Sequence, residues 1–351
     1  MRVKKIAVIG HFGGNKEFYD GQTVKTKILC SELQEATEWK IKKVDTYFKS
    51  VKPIRLLIKS IWTLLTTKRV IVLLSGNGMK FYFPILSLFS KIFKTKVFHD
   101  VVGGNIDKII ENNPKFLKYL NSFKENWVET ENLRKKVESI GIKNARVIPN
   151  FKRLDVVNVE DIQKEHSEPF KFCTFSRVMK EKGIADAVQV VQEINNDYGR
   201  MVCSLDIYGK VDDEYKEDFE RLMSEASDAI TYRGVVPFAE SVDAIRDKYA
   251  LLFPTFWRGE GFPGTIVDAY SAGLPVIATD WNCNSEIVID KITGILYPNG
   301  EQNTLKDSIE YFIKNIEKIR EMRFNCINEA RKYQPDEHIG YIVGKLKGEQ
   351  K

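Results

Sequence analysis

Histidine, cysteine and long apolar runs are scarce in this sequence of 351 residues, and each scarcity excludes a class of function. The four histidines (His11, His99, His166, His338) stand at no ligand spacing, and the five cysteines (Cys30, Cys173, Cys203, Cys283, Cys326) form no Cys-x-x-Cys pair. No metal site is therefore expected. An odd, scattered set of cysteines is not a disulfide framework and reads as buried thiols in a reducing compartment. No apolar run approaches the roughly 18 residues that a membrane-spanning helix requires. The longest, 81–90, is bracketed by Lys80 and Lys91. The opening Met1-Arg-Val-Lys-Lys-Ile-Ala-Val-Ile-Gly10 starts basic, as a signal peptide does, but its apolar stretch is five residues and lacks a small-residue cleavage site. A first strand in a cytoplasmic protein is the expectation.

What is present is a globular composition, 43% hydrophobic and 29% charged, in a chain too long for one ordinary core. Two domains are expected. The net charge of +6 conceals an asymmetry: residues 1–150 hold 28 Lys/Arg against 13 Asp/Glu, and the remainder 26 against 35. Over 40–96 there are 13 basic residues and one acid, Asp45. Apolar residues from Tyr47 to Leu65, Trp62 among them, are interleaved there with cations. A basic amphipathic helix of this kind suits an anionic membrane surface, docked by Lys42, Lys43, Lys52, Arg55 and Lys59. The plainer alternative is a solvated helix face over an ordinary core stripe. No nucleic-acid recognition motif accompanies the basic patch.

Apolar runs of strand length alternate with helical periods along nearly the whole chain. Strands are predicted at 3–10, 39–46, 69–75, 95–100, 126–129 and 145–148, then at 171–176, 201–208, 229–233, 250–254, 275–279 and 294–297. Helices in the first half are predicted near 21–36, 51–67, 80–93, 113–123 and 130–140. This order predicts an α/β protein: a Rossmann-like domain over 1–150, a charged linker over 151–169, and a second Rossmann-like domain over 170–335. The last segment, 336–351, reads as a helix that could return to the first domain. The two parallel sheets are expected to face each other across a cleft, with ligands beyond the carboxyl ends of their strands.

Two windows carry chemistry. The first runs from Arg258 to Asp280, where a strand leads into a glycine-rich turn holding Glu260 and a helix opening near Gly264. Amides at such a helix start attract phosphate. Glu260 and Asp268, eight residues apart, can accept hydrogen bonds from sugar or ribose hydroxyls. The alternative is an exposed pair of acids beside a turn without function. The second window is Phe175-Ser-Arg177-Val-Met-Lys180-Glu-Lys182-Gly183, directly after a strand. Arg177 offers a planar fork and Lys182 a point charge for phosphates, or both are merely solvated.

Taken together, Arg177-x4-Lys182-Gly183, Glu260-x7-Asp268 and the run Ala272-Gly-Leu-Pro-Val-Ile-Ala-Thr-Asp280 resemble the retaining glycosyltransferases of the glycosyltransferase-B fold. The resemblance is to glycosyltransferase family 4, and within it to bacterial capsule and exopolysaccharide enzymes; it covers 145–300 well and the first half weakly. Asp268 departs from the family's second Glu, which puts its role in doubt. The resemblance implies that Arg177 and Lys182 neutralise a departing nucleotide diphosphate, without metal or other cofactor. It implies that Glu260 meets the transferred sugar, that amides of Phe262, Gly264 and Thr265 hold the sugar or distal phosphate, and that Asp268 binds ribose. Val235 and Val236, after Gly234, match the segment beside the nucleobase; Gly21 and Gln22 match a glycine loop near the diphosphate.

A histidine at a strand end faces the donor sugar in this family, which singles out His99, although a structural histidine would look the same. Asp100 could orient His99 or meet the acceptor. The implied reaction is transfer from a nucleoside-diphosphate sugar, UDP favoured over GDP, to a saccharide hydroxyl, with a polyprenyl-diphosphate acceptor at the inner leaflet. The rival readings are a non-catalytic partner subunit of the same fold and a nucleotide-sugar epimerase.

Overall fold

A computed structural model of the chain describes residues 5–16, 20–162, 166–300 and 302–349. It divides into two compact units, 1–153 with 334–351, and 154–333.

The first unit holds strands β1 (Lys5–Gly10), β2 (Lys40–Asp45), β3 (Arg69–Leu73), β4 (Lys96–Asp100), β5 (Glu125–Val128) and β6 (Ala145–Val147). All pair parallel, in the order β2-β1-β3-β4-β5-β6. Residues 3 and 4 of the predicted first strand lie outside the described residues. β1 reads as an unbroken apolar run because helices cover both of its faces: Ile6, Ala7, Val8 and Ile9 are fully buried. β2, at the sheet edge, is instead rich in lysine, which discourages pairing with another chain. The helix Gly21–Glu35 starts where Asp20 caps the Thr23 amide, and Pro53–Thr66 starts with proline in its first turn.

Two helical expectations differ from the structure. The helix predicted over 113–123 is shorter, Lys115–Leu120, and is preceded by an unpredicted helix, Ile106–Asn112, which ends just before Pro114, where the α conformation is disfavoured for the preceding residue. The one predicted from residue 80 begins at Gly76, through a Gly-Asn-Gly stretch that propensity alone would exclude. The closing helix, Pro335–Lys347, places Ile339, Ile342, Val343 and Leu346 in one cluster with Ile6 and Val8 of β1 and Leu29 and Leu33 of the first helix.

The second unit holds β7 (Phe170–Phe175), β8 (Cys203–Tyr208), β9 (Ile230–Gly234), β10 (Ala250–Phe253), β11 (Val276–Thr279) and β12 (Gly294–Tyr297). Its parallel order is β12-β11-β10-β7-β8-β9, so the direction of winding reverses between β7 and β10. Open parallel sheets bind ligands at such a switch point, beyond the carboxyl strand ends. Within the expected linker, Leu154, Val156 and Val157 pack on the core of this unit, and the Val157 amide donates to the Ser271 carbonyl at 2.9 Å. Residues 163–165 of that stretch lie outside the described residues. The five cysteines are free and buried. Among the described residues no helix is long and apolar enough to cross a membrane, and no group of three His, Cys, Asp or Glu could hold a metal ion.

Candidate active site

In the second unit the loops after β7 and β10 meet. Lys182, at the end of the β7 loop, forms a buried ion pair with Glu260, from the glycine-rich turn after β10. Thr255 Oγ1 donates to the same Glu260 Oε2 at 3.1 Å. Lys182 Nζ also lies 5.2 Å from the ring centroids of Phe253 and Trp257. Arg177 stacks its guanidinium 5.2 Å from the Trp257 ring and approaches Asp212 at 3.6 Å, with almost half of its side chain in solvent. One indole therefore orients both cations.

The backbone is shaped for this approach. Gly183 has φ +67°, and a β-carbon there would sit 2.2 Å from the Pro254 carbonyl oxygen. A β-carbon at Gly259 would meet the Trp257 ring at 2.6 Å. From beyond β11, Trp281 Nε1 donates to the Trp257 carbonyl at 2.9 Å, and Asn282 Nδ2 to the Glu260 carbonyl at 3.2 Å, bracing the turn. A buried ion pair costs desolvation that a hydrophobic pair would not. Its place at the switch point therefore needs another reason than stability.

The remaining predicted residues of this unit fall close by in two ways. Gly264 and Thr265 open the helix Gly264–Ser271, and the Thr265 hydroxyl donates to the Phe175 carbonyl at the end of β7. Phe262 packs its ring against Tyr333, 5.3 Å between centroids, which leaves its backbone as the part that serves the turn. Asp268, buried about one turn into the helix, accepts from Ser241 Oγ at 2.9 Å. Ser241 follows the loop after β9, where Val235 is exposed and Val236 packs on the core.

In the first unit, Gly21 and Gln22 open the helix after β1. No atom lies within 4 Å of a β-carbon placed at Gly21, so space does not demand glycine there. The Gln22 side chain bridges to β3: Nε2 donates to the Leu73 carbonyl at 3.0 Å, and Oε1 accepts from Ser75 Oγ at 2.9 Å. His99, expected to meet the donor sugar, lies inside the first unit. It is fully buried, edge-on to Phe83 at 5.0 Å and near Phe123, with Nδ1 3.3 Å from Asn126 Oδ1. Burial pushes its pKa down to about 3, so the ring is neutral. Asp100 does not orient His99; it pairs with Lys25 at 2.7 Å, and Lys25 pairs with Glu129 at 2.8 Å. All three are buried. Burial lifts Asp100 to about 6 against the pull of Lys25, and Glu129 adds to the rise.

Of the expected docking cations, Lys52, Arg55 and Lys59 lie exposed on or beside the helix Pro53–Thr66. Lys42 lies 4.1 Å over the Trp62 ring and donates to Thr66 Oγ1 at 2.6 Å; Lys43 lies 5.7 Å over Phe12. Sequence reasoning missed Trp257, Thr255, Asp212, Ser241, Lys25 and Glu129. Only Trp257 and Thr255 carried a signal, since they sit between β10 and the glycine-rich turn.

Comparison with known proteins bears on the family and the fold. The family model described as glycosyl transferases group 1 matches residues 155–333, about half of the chain and nearly all of the second unit. The chain belongs to this glycosyltransferase family. An uncharacterized glycosyltransferase of Methanocaldococcus jannaschii is 24% identical over 175 residues, 47% of this chain and 43% of that protein. The chain thus spans less than half the length of that curated relative. Among solved structures, Anabaena HepE in complex with UDP and glucose has a TM-score of 0.75 at 15% identity, covering 98% of this chain and 100% of that one. Sucrose-phosphate synthase from Thermosynechococcus elongatus has 0.72 at 16%, covering 98% and 99%. At such identities the likeness shows the fold, which is the glycosyltransferase-B fold with its two six-stranded parallel sheets.

Proposed function

We propose that this glycosyltransferase moves a sugar from a UDP-sugar to a hydroxyl of a saccharide acceptor, with retention of anomeric configuration and without a metal ion. The observation that carries the proposal is the buried Lys182–Glu260 pair, with Arg177 and Trp257 beside it, at the switch point of the second sheet. In this reading Lys182 exchanges the Glu260 carboxylate for oxygens of the arriving diphosphate. Glu260, released, accepts from hydroxyls of the transferred sugar. Arg177 adds its fork to the phosphates, and amides of Phe262, Gly264 and Thr265 support the sugar or distal phosphate. Asp268, held by Ser241, takes the ribose hydroxyls, with Val235 and Val236 beside the base.

The bond from the anomeric carbon to the leaving phosphate oxygen breaks while the acceptor oxygen bonds to the same face. The acceptor proton passes to the leaving phosphate. The two cations stabilise the charge that develops there, which is the dominant kind of term in such a step. UDP is favoured because HepE, of the same fold, was solved with UDP and glucose. The basic first unit supports an acceptor on polyprenyl diphosphate at the inner leaflet of the membrane, in assembly of a bacterial surface polysaccharide.

Calorimetric titration with UDP and GDP tests the site. UDP should bind, should lose about tenfold or more in Lys182→Ala, and should lose little in Glu260→Gln, whose defect belongs to sugar transfer. A folded protein that binds neither nucleotide would overturn the assignment. Turnover by the purified chain alone excludes a non-catalytic partner subunit, and interconversion of sugar nucleotides without acceptor would mark an epimerase.

A further inference from the structure

One face of the first unit carries apolar side chains that the fold leaves uncovered. On the helix Pro53–Thr66, Leu56, Ser60, Thr63 and Leu64 are buried, while Ile54, Ile58, Trp62 and Leu65 recur along the outside. On the helix Gly76–Ile92, Met79, Tyr82, Phe83 and Leu86 are buried, while Phe81, Leu88 and Ile92 face out. These seven outward residues are 47–74% exposed. The Ser60 and Tyr82 hydroxyls hydrogen-bond at 2.9 Å, so the two helices touch there, and both pack on the same core cluster. An exposed apolar patch of this extent marks an interaction surface.

Where the first of these helices begins, a groove of about 290 Å³ is lined by Asp45, Phe48, Lys52, Arg55, Leu56 and Lys59. Its one acid is occupied by backbone. Asp45 Oδ1 accepts from the amides of Phe12 and Tyr47, both at 2.9 Å, and Oδ2 from Gly14 at 2.8 Å. Among the described residues no acid forms an ion pair with Lys52, Arg55 or Lys59. The groove is thus a cationic recess with an apolar wall, and its three cations stand on or just before the helix that carries the first apolar stripe.

We propose that this groove binds the phosphate of an anionic lipid while the two apolar stripes enter the acyl boundary of the bilayer. Charge complementarity selects the occupant. The cations and the stripe share one helix, so burying Ile58 and Trp62 at the headgroup boundary brings Arg55 and Lys59 to the level of the lipid phosphates. A soluble anion would satisfy the cations and leave seven apolar side chains in water. The inference deepens the membrane reading above. Its test uses neither nucleotide nor sugar, so it can fail while the transferase reading stands.

The test is sedimentation of the full chain with vesicles of phosphatidylcholine alone, or mixed with phosphatidylglycerol or phosphatidic acid at matched surface potential. Binding should require anionic lipid and should favour phosphatidic acid, whose monoester offers more oxygens to three cations. Arg55→Gln with Lys59→Gln should lower the partition about 30-fold and abolish the phosphatidic acid preference. The remote pair Lys118→Gln with Lys135→Gln should cost far less. Ile58→Ser with Trp62→Ser should weaken binding to every anionic vesicle. Thermal unfolding confirms that each variant is folded. Equal losses in the groove pair and the remote pair would reduce the effect to diffuse charge and overturn the groove. Calorimetric binding of inorganic phosphate, lost in the groove pair and without vesicle binding, would make the occupant a soluble anion and overturn the lipid. A stable dimer that buries Trp62 would overturn both.

Discussion

Lys25 balances two buried carboxylates with one charge, and Asp100 consequently keeps some affinity for its proton. Replacing Lys25 by Met leaves both acids uncompensated and should cost about 3–5 kcal/mol, read from urea midpoints. The direction with pH follows from proton counting. Asp100 releases its proton near pH 6 when folded, against an ordinary 3.8, so between those values the folded chain holds more proton than the unfolded one. Stability from this group is complete below about 3.8 and declines as pH rises through 6. Loss of Lys25 raises the folded Asp100 value further, so the deficit of Lys25→Met should widen from pH 5 to pH 8. At the other site, Trp257→Ala should leave the unfolding temperature nearly unchanged and weaken UDP about tenfold, because two cations lose their shared ring. Arg177, Lys182 and Glu260 were legible as residues because each sits one short loop beyond a strand and its chemistry suits a diphosphate or a hydroxyl. The burial of His99 was not legible, because the rings that enclose it, Phe83 and Phe123, are distant in sequence. Ser241 was invisible because its partner, Asp268, is 27 residues away.

Among the elements, the strands were the easiest to read. Parallel strands buried on both faces leave unbroken apolar runs, and all twelve appear at or within a few residues of their predicted positions. Helix starts were harder, as at Gly76, where packing of Met79, Tyr82 and Phe83 outweighs two glycines. The helix Pro53–Thr66 shows what periodicity can hide. A single hydrophobic pattern there merges a core stripe with an outer one, and only the fold separates Leu56 and Leu64 from Ile58 and Trp62. The turn at Gly183 is the element on which the loop carrying Arg177 and Lys182 depends. Gly183→Ala must place a methyl group against the Pro254 carbonyl at positive φ. It should destabilise the second unit by about 2 kcal/mol or more, measured by denaturant unfolding, and should lower UDP affinity as Lys182 shifts.

At the scale of the molecule, the second unit is continuous in sequence and the first is not. Four aliphatic side chains of the closing helix are buried in the first unit, each worth about 1.5–3 kcal/mol. Removal of 335–351 should therefore unfold or aggregate the first unit while residues 154–333 still bind UDP, as calorimetry on the truncated chain would show. The alternation of strands and helices announced two units. The position of the last helix was less legible, because its apolar face states that something is covered without naming the surface.

That discontinuity sets an order of birth. During translation, at about 5–20 residues per second, β1 leaves the ribosome roughly 15–70 s before the segment that covers Ile6 and Val8. The second unit can close in the interval, having all its residues in hand. Residues 1–153 must wait meanwhile with one face of their sheet only partly covered, exposed to a holding chaperone until the closing helix is made.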